Sequence, residues 1–291
     1  MEVVKLSLSS GANQQAAASY GYFMLHTAAR FGQDRVVELL LSAGANLGHA
    51  DSQGDTGPLH LASWAGLEQV VLLLLDAGAN TEAASAKGLT PLHIAAFEGR
   101  HGVVQLLCAK GANIAAASSG VGTPLHAAAC TGKPHVVKQL LELGANVHAE
   151  YEFGNTVLHT AAQHGQHEVV ESLLSAGATL EHANSLGHTP LFVAAKPGHV
   201  QVAQLLLDAG ADAADATGAT PLHVAAFEGR LRVVQLLLVR GVNLQAAESS
   251  SFTPLHAAAS AGNLEVVRLL LSAGARVGST TYWGAIRGAT P

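Results

Sequence analysis

The sequence predicts an all-α solenoid made of one repeated helix–turn–helix unit, and three observations predict it. His26, His60, His93, His126, His159, Phe192, His223 and His256 recur at steps of 34, 33, 33, 33, 33, 31 and 33 residues. In phase with them run Gly11, Gly44, Gly78, Gly111, Gly144, Gly177, Gly210, Gly241 and Gly274, each opening Gly-Ala-Asn or a near variant. Two markers in step over the whole length exclude chance. The third observation is compositional: 12% of the 291 residues are charged, and the 49% hydrophobic share comes largely from Ala and Leu. Typical soluble domains carry roughly 25% charged residues. A chain so poor in charge has a bland surface, and a solenoid of this length grows by adding layers rather than by enlarging one core.

The unit is clearest from Gly88 to Asn113. Thr90 suits a helix N-cap, where its hydroxyl takes an otherwise orphan N–H, and Pro91 suits the first helical position because it has no N–H to lose. Leu92, Ala95 and Ala96 then share a face, the alanines allowing close helix approach. Gly99 supplies the positive φ that ends this short helix; Val103, Val104, Leu106 and Leu107 carry the apolar face of a second, which Gly111 closes.

A period of 33 with Thr-Pro-Leu-His-x-Ala-Ala resembles the ankyrin repeat over nearly the whole chain. The resemblance implies an ankyrin-repeat α-solenoid with short β-hairpin fingers, its helix pairs stacked antiparallel and its concave groove lined by fingers and first helices. It implies a binding module and no particular chemistry. The family's framework histidines hold the turn before the first helix through the threonine and backbone, which assigns the repeated histidines here a structural role.

Taken in order, residues 1–22 are a partial repeat and finger, since residues 2 to 13 align on Gly102 to Asn113. Residues 23–276 are eight repeats, with first helices starting near Phe23, Gly57, Thr90, Thr123, Thr156, Thr189, Thr220 and Thr253. Residues 277–291 are a finger and the start of a ninth repeat, Gly288-Ala289-Thr290-Pro291. Ends open in this way are expected of part of a longer protein, because such arrays usually finish in polar capping repeats. The irregularities are an extra residue before His60, Val157 in place of Pro, Phe192 in place of His, Pro197, and a finger two residues short between Gly210 and Thr220. These last features predict a weaker joint between residues 190 and 222.

Several functions are excluded or disfavoured. A net charge of −6 with 15 scattered Lys and Arg offers no basic stripe for nucleic acid. The longest aliphatic run, Val70 to Leu75, is far shorter than the ~20 residues that span a bilayer. Cys108, standing for a core leucine, and Cys130 lack metal-ligand spacing and suggest no disulfide framework, so the chain reads as intracellular and cytoplasmic. His164 and His167 are separated by the helix-ending Gly165, and no third ligand accompanies them. No phosphate loop, nucleophile elbow or acid pair stands apart from the repeat pattern. The expectation is no metal, no cofactor, no catalysis, and a monomer.

Aromatic placement does rise above the framework. In the family, partner-facing positions are the two finger residues before the Gly, the residue between Gly and Thr, and the two between Ala-Ala and Gly. Here those positions hold Tyr20, Tyr22, Arg30, Phe31, Trp64, Lys87, Leu89, Phe97, Glu98, Glu152, Phe153, Leu186, His188, Lys196, Phe227, Glu228 and Phe252. Eight of the chain's aromatics fall among them, and aromatics bury much area with few rotors, which makes them natural interface anchors. The alternative is that some of them pack on the neighbouring finger. The resulting reading is a non-enzymatic scaffold that binds a protein or extended peptide in its groove, chiefly through the N-terminal half. The rivals are the targeting array of a larger enzyme or channel, and a spacer solenoid without a specific partner.

Overall fold

The structure is a computed structural model that describes residues 24–48, 56–212, 219–246 and 252–277. It forms two compact units, residues 1–152 and 153–291.

In the first unit each helix pair follows from the same local chemistry. First helices are α1 (Met24–Arg30), α3 (Pro58–Ala65), α5 (Pro91–Glu98) and α7 (Pro124–Cys130); second helices are α2 (Asp34–Ser42), α4 (Glu68–Asp76), α6 (His101–Ala109) and α8 (Pro134–Glu142). First helices pack on first helices and second on second, in chain order. The unit ends in the short strand β1 (Glu150–Tyr151). Leu92, Ala95, Ala96, Val103, Val104 and Leu107 are fully buried in its core. Leu106, expected among them, is only half-buried, as is Cys108; the burial that does reach the Cys108 thiol pushes its pKa up and keeps it protonated.

The second unit opens with a 3₁₀ turn (Glu152–Gly154, from its second residue) and β2 (Asn155–Thr156). Its first helices are α9 (Val157–Gln163), α11 (Pro190–Ala195), α13 (Pro221–Phe227) and α15 (Pro254–Ser260). Its second helices are α10 (His167–Ser175), α12 (Val200–Asp208), α14 (Leu231–Val239) and α16 (Leu264–Ser272), packed in the same serial manner.

The histidine framework is visible bond by bond. Thr90 N–H donates to His93 Nδ1 (3.2 Å), the Thr90 hydroxyl lies 2.9 Å from the same nitrogen, and Thr90 Oγ1 accepts from His93 N–H (3.5 Å). With Nδ1 an acceptor, Nε2 carries the proton and donates to the carbonyl of Gly122, 29 residues on (2.9 Å). His60 reaches Leu89 O, His159 reaches His188 O and His223 reaches Phe252 O in the same way. Each of these four histidines thus ties its own helix start to the next repeat's finger. Burial lowers the His93 pKa and brings that of His159 down to about 4, so both rings are neutral near pH 7. Phe192 keeps the packing, 7% exposed and stacked on His188 at 4.0 Å, but has no such donor.

Strand pairing in the fingers is short, in keeping with an all-α solenoid. Among the described residues, strand structure is confined to β1, β2 and an isolated bridge between Ser118 and Gly122. Elsewhere tight turns suffice, as where Ser85 N–H donates to Leu89 O and Gly88 N–H to Ser85 O. Residues 1–22, the ninth-repeat start at 288–291, and most of the shortened finger after Gly210 lie outside the described residues.

Candidate functional site

The expected anchors of the first unit sit where the first helices end. Arg30, Trp64 and Phe97 occupy the same register in three successive layers, counted from His26, His60 and His93, with Phe31 and Glu98 one residue farther on. The rings are open to solvent: Phe31 is 66% exposed, Trp64 45% and Phe97 43%. Burial of the preceding alanines explains this, since residues Ala28, Ala29, Ala62, Ala95 and Ala96 take the inner face and turn the following side chain outward.

Their backbones, by contrast, are fixed by the next repeat. Arg100 Nε donates to Trp64 O (3.1 Å), and Thr131 Oγ1 donates to Phe97 O (2.7 Å). These bonds satisfy carbonyls that a helix C-terminus leaves without intrahelical partners. Gly66 makes room for the first of them: it has φ 78, and a Cβ there would stand 2.7 Å from Arg100 Cδ. At Gly99 a Cβ would stand 2.9 Å from Lys133 Cδ. Rigid backbone below a free ring is the arrangement that minimises ordering cost on binding. The Arg30 guanidinium completes the cluster, 5.5 Å from the Trp64 ring and 5.8 Å from the Phe31 ring, within cation–π range.

Between Trp64 and Phe97 opens a pocket of about 180 Å³. Leu89, Ile94, Val121 and Ala127 form its apolar wall, and His93 and Glu98 are its ionisable neighbours. Sequence reasoning singled out Trp64, Leu89, Phe97 and Glu98 separately; the structure brings them to one cavity. It also adds Ile94 and Val121, whose only sequence signal is that they vary where the framework does not. Lys87 is exposed on the finger and does not line this pocket.

In the second unit the expected residues are dispersed. Phe153 is 64% exposed with φ 61, a left-handed backbone uncommon for an aromatic residue, and its carbonyl accepts from Ser185 N–H (2.8 Å) and Ser185 Oγ (2.7 Å). Lys196 and Phe227 are exposed, and their carbonyls accept from Arg230 Nε (2.9 Å) and Asn263 Nδ2 (2.6 Å). His188 and Phe252 depart from the expectation of free anchors: both are half-buried, His188 stacked on Phe192 and Phe252 packed against the core of α13 to α16. Each occupies the finger position whose carbonyl the preceding histidine holds, which draws the ring inward. Tyr20 and Tyr22 lie outside the described residues.

His164 and His167 do not share a helix: His164 follows the last residue of α9 and its Nδ1 lies 2.9 Å from Thr160 O of that helix, whereas His167 opens α10. No group of three or more His, Cys, Asp or Glu among the described residues is placed to hold a metal ion. No helix among them is long and apolar enough to cross a membrane.

Comparison with known proteins agrees with this architecture. The family model for ankyrin repeats (three copies) matches residues 1–85, 25–118, 59–151, 125–215, 158–248 and 209–281. Among solved structures, the chain is similar to the human ASB11 ankyrin repeat domain, with 28% identity and a TM-score of 0.66 over 74% of this chain and 97% of that one. No curated protein sequence matches.

Proposed function

Because the chain belongs to the ankyrin-repeat family, whose arrays serve in general as protein-binding modules, we propose that it is a non-enzymatic scaffold binding a protein or extended peptide through the Trp64–Phe97 face of its first unit. One observation carries the reading. Two large aromatics in equivalent register of successive layers are exposed while the backbone under each is bonded to the next repeat. Isolated exposed apolar residues are ordinary on a protein surface, but aromatics clustered around a pocket mark interaction sites. The mechanism is preorganisation: the stack holds the anchors at fixed spacing, so little conformational freedom is lost when a partner docks. Sparse surface charge favours an apolar contact with weak salt dependence.

The test is affinity purification with the full chain beside a Trp64→Ala, Phe97→Ala double variant. The reading expects proteins recovered by the wild type and lost by the folded double variant. Equal recovery of the same proteins by both would sink it.

A further inference from the structure

We propose that the pocket between Trp64 and Phe97 receives one leucine- to phenylalanine-sized side chain of an extended peptide, and that Glu98 pairs with a lysine or arginine beside that side chain. This rests on the reading above and adds the chemistry of the occupant.

Size and lining define the first half. The cavity measures about 180 Å³ and its wall is Trp64, Leu89, Ile94, Phe97, Val121 and Ala127. An apolar cavity of about 150 Å³ accommodates a benzene ring, so this one matches a single large apolar side chain and is too small for a loop. Filling it covers half-buried Leu89, Ile94 and Val121 along with the exposed rings.

Charge defines the second half. Of the two ionisable residues at the pocket, His93 has both ring nitrogens engaged, by Thr90 and by Gly122 O. Glu98 is half-buried, and its carboxylate has no ion pair among the described residues. A carboxylate beside an apolar cavity favours a cation delivered next to the anchor and penalises an anion there. An extended peptide suits the geometry because Arg30, Trp64 and Phe97 lie in successive layers, so a strand crossing the layers meets them one after another.

The experiment selects displayed random short peptides on the full chain, then measures the best of them by fluorescence anisotropy against wild type, Trp64→Ala, Phe97→Ala and Glu98→Lys, each checked for an unchanged melt. The expected peptides carry Leu, Ile, Met or Phe beside Lys or Arg. Phe97→Ala should weaken binding about tenfold or more. Glu98→Lys should weaken it about fivefold or more, with recovery when the peptide's basic residue is changed to Glu. Selected peptides that need Phe97 but show no basic preference and no charge-swap recovery overturn the inference and leave the scaffold reading standing. Peptides indifferent to both Trp64→Ala and Phe97→Ala overturn that reading as well. Failure to select any peptide overturns the inference alone, since a folded partner then remains for the purification test.

Discussion

Replacing His159 with Phe should make the protein less stable at neutral pH and more stable in acid. His159 is 1% exposed, donates through Nε2 to His188 O (3.0 Å) and faces the His182 ring at 5.8 Å. Desolvation first, then the nearby histidines, lowers its pKa from 6.5 to about 4, against the partial opposition of the backbone carbonyls. The folded pKa lies below the unfolded one, so the unfolded chain binds the proton first. Stability from this group is therefore fully present above pH 6.5 and is lost as pH falls toward 4. At about 1.4 kcal/mol per pKa unit, the loss is at most on the order of 3 kcal/mol. His159→Phe imitates what Phe192 already does in its own layer, keeping an aromatic body and deleting the titration. At neutral pH it gives up the bond to His188 O, on the order of 1 to 2 kcal/mol. The stability curves of wild type and variant should then cross near pH 5. Urea unfolding followed by far-UV circular dichroism, from about pH 7.5 to about pH 4.5, reads the difference, which cancels the other titrating groups common to both proteins. Parallel curves, with no narrowing of the gap in acid, would refute the assignment of His159 as a buried neutral donor.

The remaining predictions concern other layers. His93→Ala should cost on the order of 1 to 2 kcal/mol of stability in denaturant unfolding, through the lost bond to Gly122 O and the emptied ring site. Gly66→Ala, at φ 78 and 2.7 Å from Arg100 Cδ, should destabilise by about 1 kcal/mol or more and lower the melting temperature, whereas Arg100→Ala should do so less. Native-state hydrogen exchange should run faster in α11 and α12 than in α5: α11 spans only Pro190–Ala195, Pro197 follows it, and Phe192 lacks the donor by which His93 ties α5 to the next finger. Uniform protection would contradict this.

Most of the fold was legible in the sequence because the same local signals are written eight times. A threonine N-cap, followed by Pro everywhere but at Thr156, fixes these helix starts, and the positive-φ glycine after Ala-Ala fixes their ends, so boundaries near Thr90, Thr123, Thr156, Thr189, Thr220 and Thr253 fell where the N-caps stand. What was not legible depends on contacts between layers. Position alone marked Phe97 and His188 alike as partner-facing, yet one ring projects outward and the other stacks on Phe192. The difference arises because the neighbouring histidine binds the carbonyl of His188, a link 29 residues long that no local pattern reveals. Likewise the grip of Arg100 on Trp64 O and the cavity shared by Leu89, Ile94 and Val121 appear only when adjacent repeats are stacked.

The central claim is that Trp64 and Phe97 serve binding and not packing, and Phe192 supplies the internal control. The most direct measurement takes a partner recovered with the wild type and determines its affinity for Trp64→Ala and Phe97→Ala, alongside thermal melts of these variants and of Phe192→Ala. Truncating buried Phe192 should open a core cavity and cost about 3 to 5 kcal/mol, a large fall in melting temperature. The two exposed rings should each shift the melt by no more than about 2 to 4 °C, while at least one of them weakens binding by about 2 kcal/mol or more. If Trp64→Ala and Phe97→Ala melt as early as Phe192→Ala, or if binding survives both substitutions unchanged, the account is contradicted.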